Sequence, residues 1–252
     1  MENTTTPSIE FKDIHLAVVT PMANERETAA RFVREIHAQC AAFSFRSITH
    51  YTIFDRMCQD GTDEILRDLR EELPHLRVVN ASESRSVVDA YLSGYRAALE
   101  GKADWILEID AGFSHDPRDI PRFMSLMLDG YDCIFGSRFC RGGAMIDASL
   151  GRRTTSFGGT ILANVLLGTQ LADMTSGFEL FTRGALQAIL ARGIVSRGPF
   201  FQTEIKAFAH RLRICEVPIS YRSPTHPVGT GALWDALKGL WRLFWLRLNG
   251  KL

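Results

Sequence analysis

Short apolar runs alternate along the chain with longer segments whose apolar residues recur at helical spacing. "HLAVVTPM" (15–22), "SITHYTIFD" (47–55), "LRVVNA" (76–81), "DWILEID" (104–110) and "YDCIFGSRF" (131–139) read as strands. Between them, 25–43, 63–73, 86–101 and 117–130 carry a period near 3.6 and read as helices. This β-α-β-α rhythm predicts an α/β fold, a Rossmann-like, mostly parallel sheet with helices on both faces. After residue 140 the rhythm changes. Helices are expected over 152–168 and 200–212, and a strand in "RICEVPISYRS". No repeat, low-complexity stretch or Pro/Gly-rich linker divides the chain. The expected organisation is a disordered tail (1–14), one catalytic domain (15–232) and a C-terminal helix (233–252).

That last segment, "LWDALKGLWRLFWLRL", sets Leu233, Trp234, Leu237, Leu240, Trp241, Phe244, Trp245 and Leu248 at helical spacing, with Asp235, Lys238 and Arg242 opposite. Three of the four tryptophans lie here. A helix of this kind can lie in a membrane interface. Packing on the domain, or on a second copy in a homodimer, is the alternative.

Composition narrows the classes. The 252 residues are 46% hydrophobic and carry 29 basic and 29 acidic side chains, so no net charge draws the chain to nucleic acid. Five cysteines without a CxxC pair point to reduced thiols. The polar start "MENTTTPSIEF" has no signal-peptide core, and no apolar run reaches the ~18–20 residues of a spanning helix. A cytoplasmic protein is expected, at the membrane face if the last helix docks there.

Ligands of parallel sheets sit beyond the carboxyl ends of the strands. Pro21, Asp55, Asp110 and Arg138 all fall at such ends. Each has a structural alternative: Glu25 opening a helix, Asp55 capping a turn, His115 and Asp116 forming the turn before Pro117.

Several stretches in order resemble family 2 glycosyltransferases. "VVTPMANE" looks like their P-x-x-N-E segment, "FDRMCQDGT" like D-D-x-S-x-D-G-T, and "IDAGFSHDP" like D-A-D-x-S-H-x-P. "GSRF", "DMTSGFELF", "FFQTEI" and "CEVPISY" follow as in polyprenyl- or dolichyl-phosphate mannose synthases. The resemblance implies a GT-A fold. It also implies inverting transfer of a sugar from a nucleotide diphosphate donor, with Mg²⁺ or Mn²⁺, to a lipid phosphate.

By the same resemblance, Pro21, Ala23, Glu25, Phe54, Asp55, Ala111 and Gly112 would line the nucleotide-sugar pocket, Glu25 on the ribose. Asp110 would ligate the metal. Arg138, Arg152 (with Arg153 an equal candidate) and Arg222 would embrace phosphate, suited by the planar guanidinium. Asp173, Ser176 and Gly177 form the "DMTSGF" turn, Gln202 lies on the acceptor side, and Asp173 or Glu204 would be the base for a hydroxyl acceptor. The catalytic set is thus Asp110, Arg138, Asp173 and Glu204.

Departures stand beside these matches. Gly112 replaces the second carboxylate of D-x-D, Arg56 replaces the second Asp of D-D, and "RSPTHPVGTG" offers Arg222 and His226 where relatives carry a lysine. A hydroxyl acceptor in glycan or natural-product synthesis, and a catalytically silent nucleotide-binding relative, are the alternative readings.

Overall fold

The computed structural model describes residues 10–84, 86–222 and 230–252. Its strands are β1 (His15–Pro21), β2 (Ser47–Asp55), β3 (Leu76–Ala81), β4 (Trp105–Glu108), β5 (Cys133–Ser137), β6 (Ala144–Ile146), β7 (Glu179–Thr182), β8 (Ile214–Pro218) and β9 (Ser220–Arg222). Seven form one sheet in the order β3-β2-β1-β4-β7-β5-β8. All its neighbours run parallel except β7, which is antiparallel to both β4 and β5. β6 and β9 make a separate parallel pair.

The helices are α1 (Ala29–Ala41), α2 (Thr62–Glu72), α3 (Val87–Glu100), α4 (Ile120–Met124), α5 (Leu150–Leu167), α6 (Arg183–Ala191), α7 (Phe201–Ala209) and α8 (Thr230–Leu248). Side chains alternate along a strand, so a sheet covered on both faces reads as a continuous apolar run. In β1, Leu16 and Val18 pack with Phe32 and Ile36 of α1, Leu66 of α2 and Phe123 of α4. Ala17 and Val19 face the other way, toward Val88, Tyr91 and Tyr95 of α3 and Ile205 of α7.

A third core joins Ala163 and Leu167 of α5, Ala207 of α7, and Leu240 and Leu243 of α8. The last helix is therefore packed on the domain rather than set apart from it. The N-terminal boundary also moves. Phe11 meets Phe43 and Phe45 edge-on, and Ile14 is buried, so residues 10–14 belong to the fold rather than to a tail.

Other expectations are revised by local chemistry. The helix expected from 25 begins at Ala29, because residues 23–28 form a turn. The one expected over 117–130 is a 3₁₀ turn, Pro117–Asp119, then α4, and it decays into i→i−3 bonds from Phe123 to Asp129. "RICEVPISYRS" divides at Ile219, whose N–H bonds Ser137 and whose carbonyl accepts from Ala144. β6 and the antiparallel strand β7 carried no strand expectation.

Candidate active site

Two loops at the carboxyl edge are bolted together by the residues that follow β1 and β2. Asn24 adopts a left-handed φ of 60°, which asparagine tolerates better than most residues. Its side chain donates to Met57 O (2.9 Å) and accepts from Gln59 N (3.0 Å). Asp60 accepts from Thr62 N (3.0 Å) and from Arg26 N (2.9 Å). Thr62 Oγ1 in turn accepts the Glu25 N–H at 2.8 Å. The "NE" and "DGT" segments thus act as one brace.

The brace shapes a cleft of about 200 Å³ lined by Pro21, Ala23, Glu25, Asp55, Ala90 and Ala111. Asp55 lines it and also accepts the Met57 N–H at 2.8 Å, so turn capping and cleft position coexist. Phe54 is elsewhere: strand alternation turns it from Ile53, and it lies beneath Arg67 of α2.

Asp110 stands beside this cleft just past β4, its side chain 42% exposed. Tyr91 of α3 donates to Oδ1, and His115 Nδ1 lies 3.5 Å from Oδ2. His115 is only 1% exposed, packed against Phe178 and Tyr221, and neither ring nitrogen has a hydrogen-bond partner. Burial pushes its pKa down to about 4, so the ring is neutral near pH 7. Asp116 does what a turn requires, accepting from Arg118 N at 3.0 Å and pairing with the Arg118 guanidinium.

A buried polar layer supports Asp110. Glu108 and Glu179 are register partners across β4 and β7, both fully buried. Tyr95 and Gln202 donate to Glu108, while Lys206 pairs with Glu179 and also donates to Ser176 O at 2.6 Å. Burial, then the charge of Glu179, holds the Glu108 carboxyl well above the usual range; burial raises Glu179 to about 7. Gly177 admits Gln202 here, since a Cβ at that position would meet Gln202 Nε2 at 2.6 Å and Asp110 Oδ2 at 3.4 Å.

Beyond β5, Arg138 and Asp173 form a buried bidentate pair, with Nε–Oδ2 at 2.7 Å and Nη2–Oδ1 at 2.8 Å. Burial pushes the Asp173 carboxyl up, but the hydrogen bonds and charge of Arg138 outweigh this and hold it below the usual range. Asp173 is therefore ill suited to take a proton. Glu204 is also committed elsewhere. It accepts from Val195 N (3.2 Å) and Ser196 N (2.9 Å) and pairs with Arg242, tying α7 to α8. Both positions expected to offer a base thus carry ion-paired carboxylates.

Arg138 also borders a second cleft, of about 460 Å³, with Phe139, Met145, Arg153, Thr154 and Phe157. Of the two arginines left equal, Arg153 lines it, its Nη2 bonded to Met145 O at 2.7 Å. Arg152 is near Tyr221, a ring stacked under the Arg138 guanidinium at 5.2 Å. Arg222 pairs with Asp147, and its N–H bonds Ser114 O at 2.8 Å, drawing β9 against the Asp110 loop. His226 lies outside the described residues. Among the described residues, no group of three or more His, Cys, Asp or Glu forms a ready metal cage.

Tyr91, Tyr95, Glu179, Lys206 and Glu216 were not singled out by sequence. Glu216 holds the 171–173 turn through Ala172 N (2.7 Å) and Asp173 N (2.9 Å). One signal was available: Glu108 is an acid inside the apolar run "WILEI", where a buried carboxylate needs partners.

Comparison with known proteins identifies the family. The family described as "Glycosyl transferase family 2" matches residues 17–190. An undecaprenyl-phosphate mannosyltransferase of Micrococcus luteus is 32% identical over 171 residues, 67% of this chain and 70% of the relative. A polyprenol monophosphomannose synthase of Mycolicibacterium smegmatis is 27% identical over 207 residues, 81% of this chain and 76% of the relative. Among solved structures, glucosyl-3-phosphoglycerate synthase from Mycobacterium tuberculosis, crystallised with Mn²⁺, UDP-glucose and phosphoglyceric acid, superposes with a TM-score of 0.63. It is 17% identical, covering 93% of this chain and 79% of that one. The fold is GT-A, and the chain belongs to glycosyl transferase family 2, as a glycosyltransferase.

Proposed function

We propose that the chain transfers a sugar, with inversion, from a nucleoside diphosphate donor to a polyprenyl-type lipid phosphate. The observation that carries this reading is the second cleft. Arginine and aromatic side chains share its wall, and it opens beside α5, whose Phe157, Ile161 and Val165 are half exposed or more. A phosphate with an isoprenoid tail presents the matching chemistry: an anion for the Arg153 guanidinium and an apolar chain for the helix.

The first cleft, from Pro21 to Ala111, would take the nucleoside, and its position next to Asp110 would bring the diphosphate there. The attacking phosphate oxygen is already an anion near neutral pH, so no side chain need remove a proton. It displaces the nucleoside diphosphate from the anomeric carbon, and rate comes from positioning and charge. This suits a site in which Asp173 and Glu204 are both ion-paired. A hydroxyl acceptor would need a base that neither supplies.

Both Asp110 and Glu25 offer hard oxygen donors at the cleft, the chemistry a Mg²⁺ or Mn²⁺ ion requires. Such an ion, when bound, would offset diphosphate charge.

The apolar face favours contact with a membrane surface at the acceptor side. Trp234, Leu237, Trp241, Trp245 and Leu248 of α8 are exposed, and no described helix is long and apolar enough to cross a membrane. A cytoplasmic-face peripheral enzyme is the corresponding location.

The test is transfer itself. Purified protein, a panel of nucleotide sugars including GDP-mannose, and a detergent-dispersed polyprenyl phosphate should yield a glycosyl phospholipid by mass spectrometry. Transfer to hydroxyl acceptors but not to the lipid phosphate would overturn the reading.

A further inference from the structure

The volume that a side chain at position 112 would enter is already filled. A Cβ on Gly112 would lie 2.7 Å from Oε1 and 3.1 Å from Oε2 of Glu25. Glu25 reaches this point from the loop after β1, the strand next to β4, whereas Gly112 follows β4. Its backbone is fixed by Thr62, and Thr28 Oγ1 donates to Oε2 at 2.5 Å. The oxygen nearest Gly112 is the other one, Oε1. An aspartate at 112 would set a second carboxylate against Glu25, where two like charges repel. The glycine and the placement of Glu25 are therefore one feature.

A second observation concerns Asp110, two residues before Gly112 in the same loop. Asp110 carries Tyr91 on Oδ1, and its Oδ2 faces the buried His115, whose two ring nitrogens lack hydrogen-bond partners. Buried polar atoms are normally satisfied, by protein, water or a bound group.

We propose that Glu25 supplies the second carboxylate for a divalent cation, taking over from the position-112 side chain. Asp110 and Glu25 hold the ion between the loops after β1 and β4. Diphosphate oxygens and water complete its shell, as suits an ion that takes only one or two carboxylates. The inference rests on the nucleotide-sugar reading above.

The test compares wild type, Glu25→Ala, and Glu25→Ala combined with Gly112→Asp. Calorimetry gives the affinity for UDP and GDP in EDTA and in Mn²⁺; the loss of the free Mn²⁺ paramagnetic resonance signal gives metal binding directly. In wild type, Mn²⁺ should tighten the nucleotide by about tenfold or more. In Glu25→Ala that factor should fall toward one, over and above any loss of affinity that the change in the cleft wall brings equally in EDTA and in Mn²⁺. The double variant should recover it, because the new aspartate enters the vacated space and aspartate tolerates a left-handed φ. Glu25→Gln, which keeps the volume, should show the same loss and guards against misfolding of the alanine variant. An equal loss with and without Mn²⁺ would make Glu25 a ribose contact and overturn the inference. A wild-type factor of one would overturn it too. Both results would leave the nucleotide reading standing, whereas no nucleotide binding under any condition would overturn both.

Discussion

Arg138 and Asp173 face each other through two parallel hydrogen bonds, 2.7 and 2.8 Å long, with both side chains withdrawn from solvent. Removing one partner from such a pair leaves an uncompensated buried charge. Asp173→Ala should therefore lower unfolding free energy by about 3–5 kcal/mol, measured by urea denaturation. If stability holds and only turnover falls, Asp173 acts in chemistry instead.

Glu204 offers the complementary case. Its carboxylate joins the 195–196 backbone to Arg242 of α8, away from the strand-end clefts. Glu204→Gln keeps the shape and loses the charge. It should cost about 1–3 kcal/mol of stability while turnover per folded molecule stays within a few-fold. A loss of a hundredfold or more in turnover without loss of stability would restore the base assignment.

Tyr91 sits deep in α3 and donates to Asp110. Tyr91→Phe keeps the ring and removes the donor. A hydrogen bond to a charged group contributes about 1.5–3 kcal/mol, so a tenfold or greater fall in kcat/KM is expected. The nucleotide affinity measured in EDTA should barely move, and equal losses in both would argue against positioning of Asp110.

Three histidines, 37, 50 and 75, cluster between α1 and the β2–β3 edge, their rings tilted against one another. His75 Nε2 and His37 Nδ1 are 2.9 Å apart. Burial, then the neighbouring histidine, lowers His37 to about 4, and burial first of all lowers His50 well below its ordinary 6.5. The unfolded chain binds these protons more tightly. Stability from His37 and His50 is then fully present above about pH 6.5 and falls as pH drops below it, by up to about 1.4 kcal/mol per pH unit for each of these two rings. Replacing His37 with Asn should flatten that part of the thermal-unfolding profile. An unchanged slope would remove the histidines as its cause.

Trp241 is 57% exposed and Trp245 49%, their rings edge-on to each other on the outer face of α8. Converting both to Glu should leave the fold intact, because Leu240 and Leu243 carry the packing. Co-flotation with anionic liposomes should drop several-fold. Undiminished flotation would take the membrane contact away from this face.

The chain's own pattern determined its class. Continuous apolar runs such as "LAVVT" require a sheet buried on both faces, and that in turn places Pro21, Asp55 and Asp110 at one ligand-binding edge. Local motifs were legible too: an Asn able to take positive φ, and an Asp-Gly-Thr turn. Only the tertiary structure decided which charges are spent. Arg138, Asp173 and Glu204 look alike as strand-end or helix-end polar residues, yet each finds an ion partner more than 30 positions away. The single antiparallel strand β7 brings Glu179 beside Glu108, which neither segment signals by itself. And the empty side chain of Gly112 acquired meaning only when the fold laid Glu25 over it. Periodicity fixes which way a side chain faces, whereas its charge state and partner depend on contacts that long loops close.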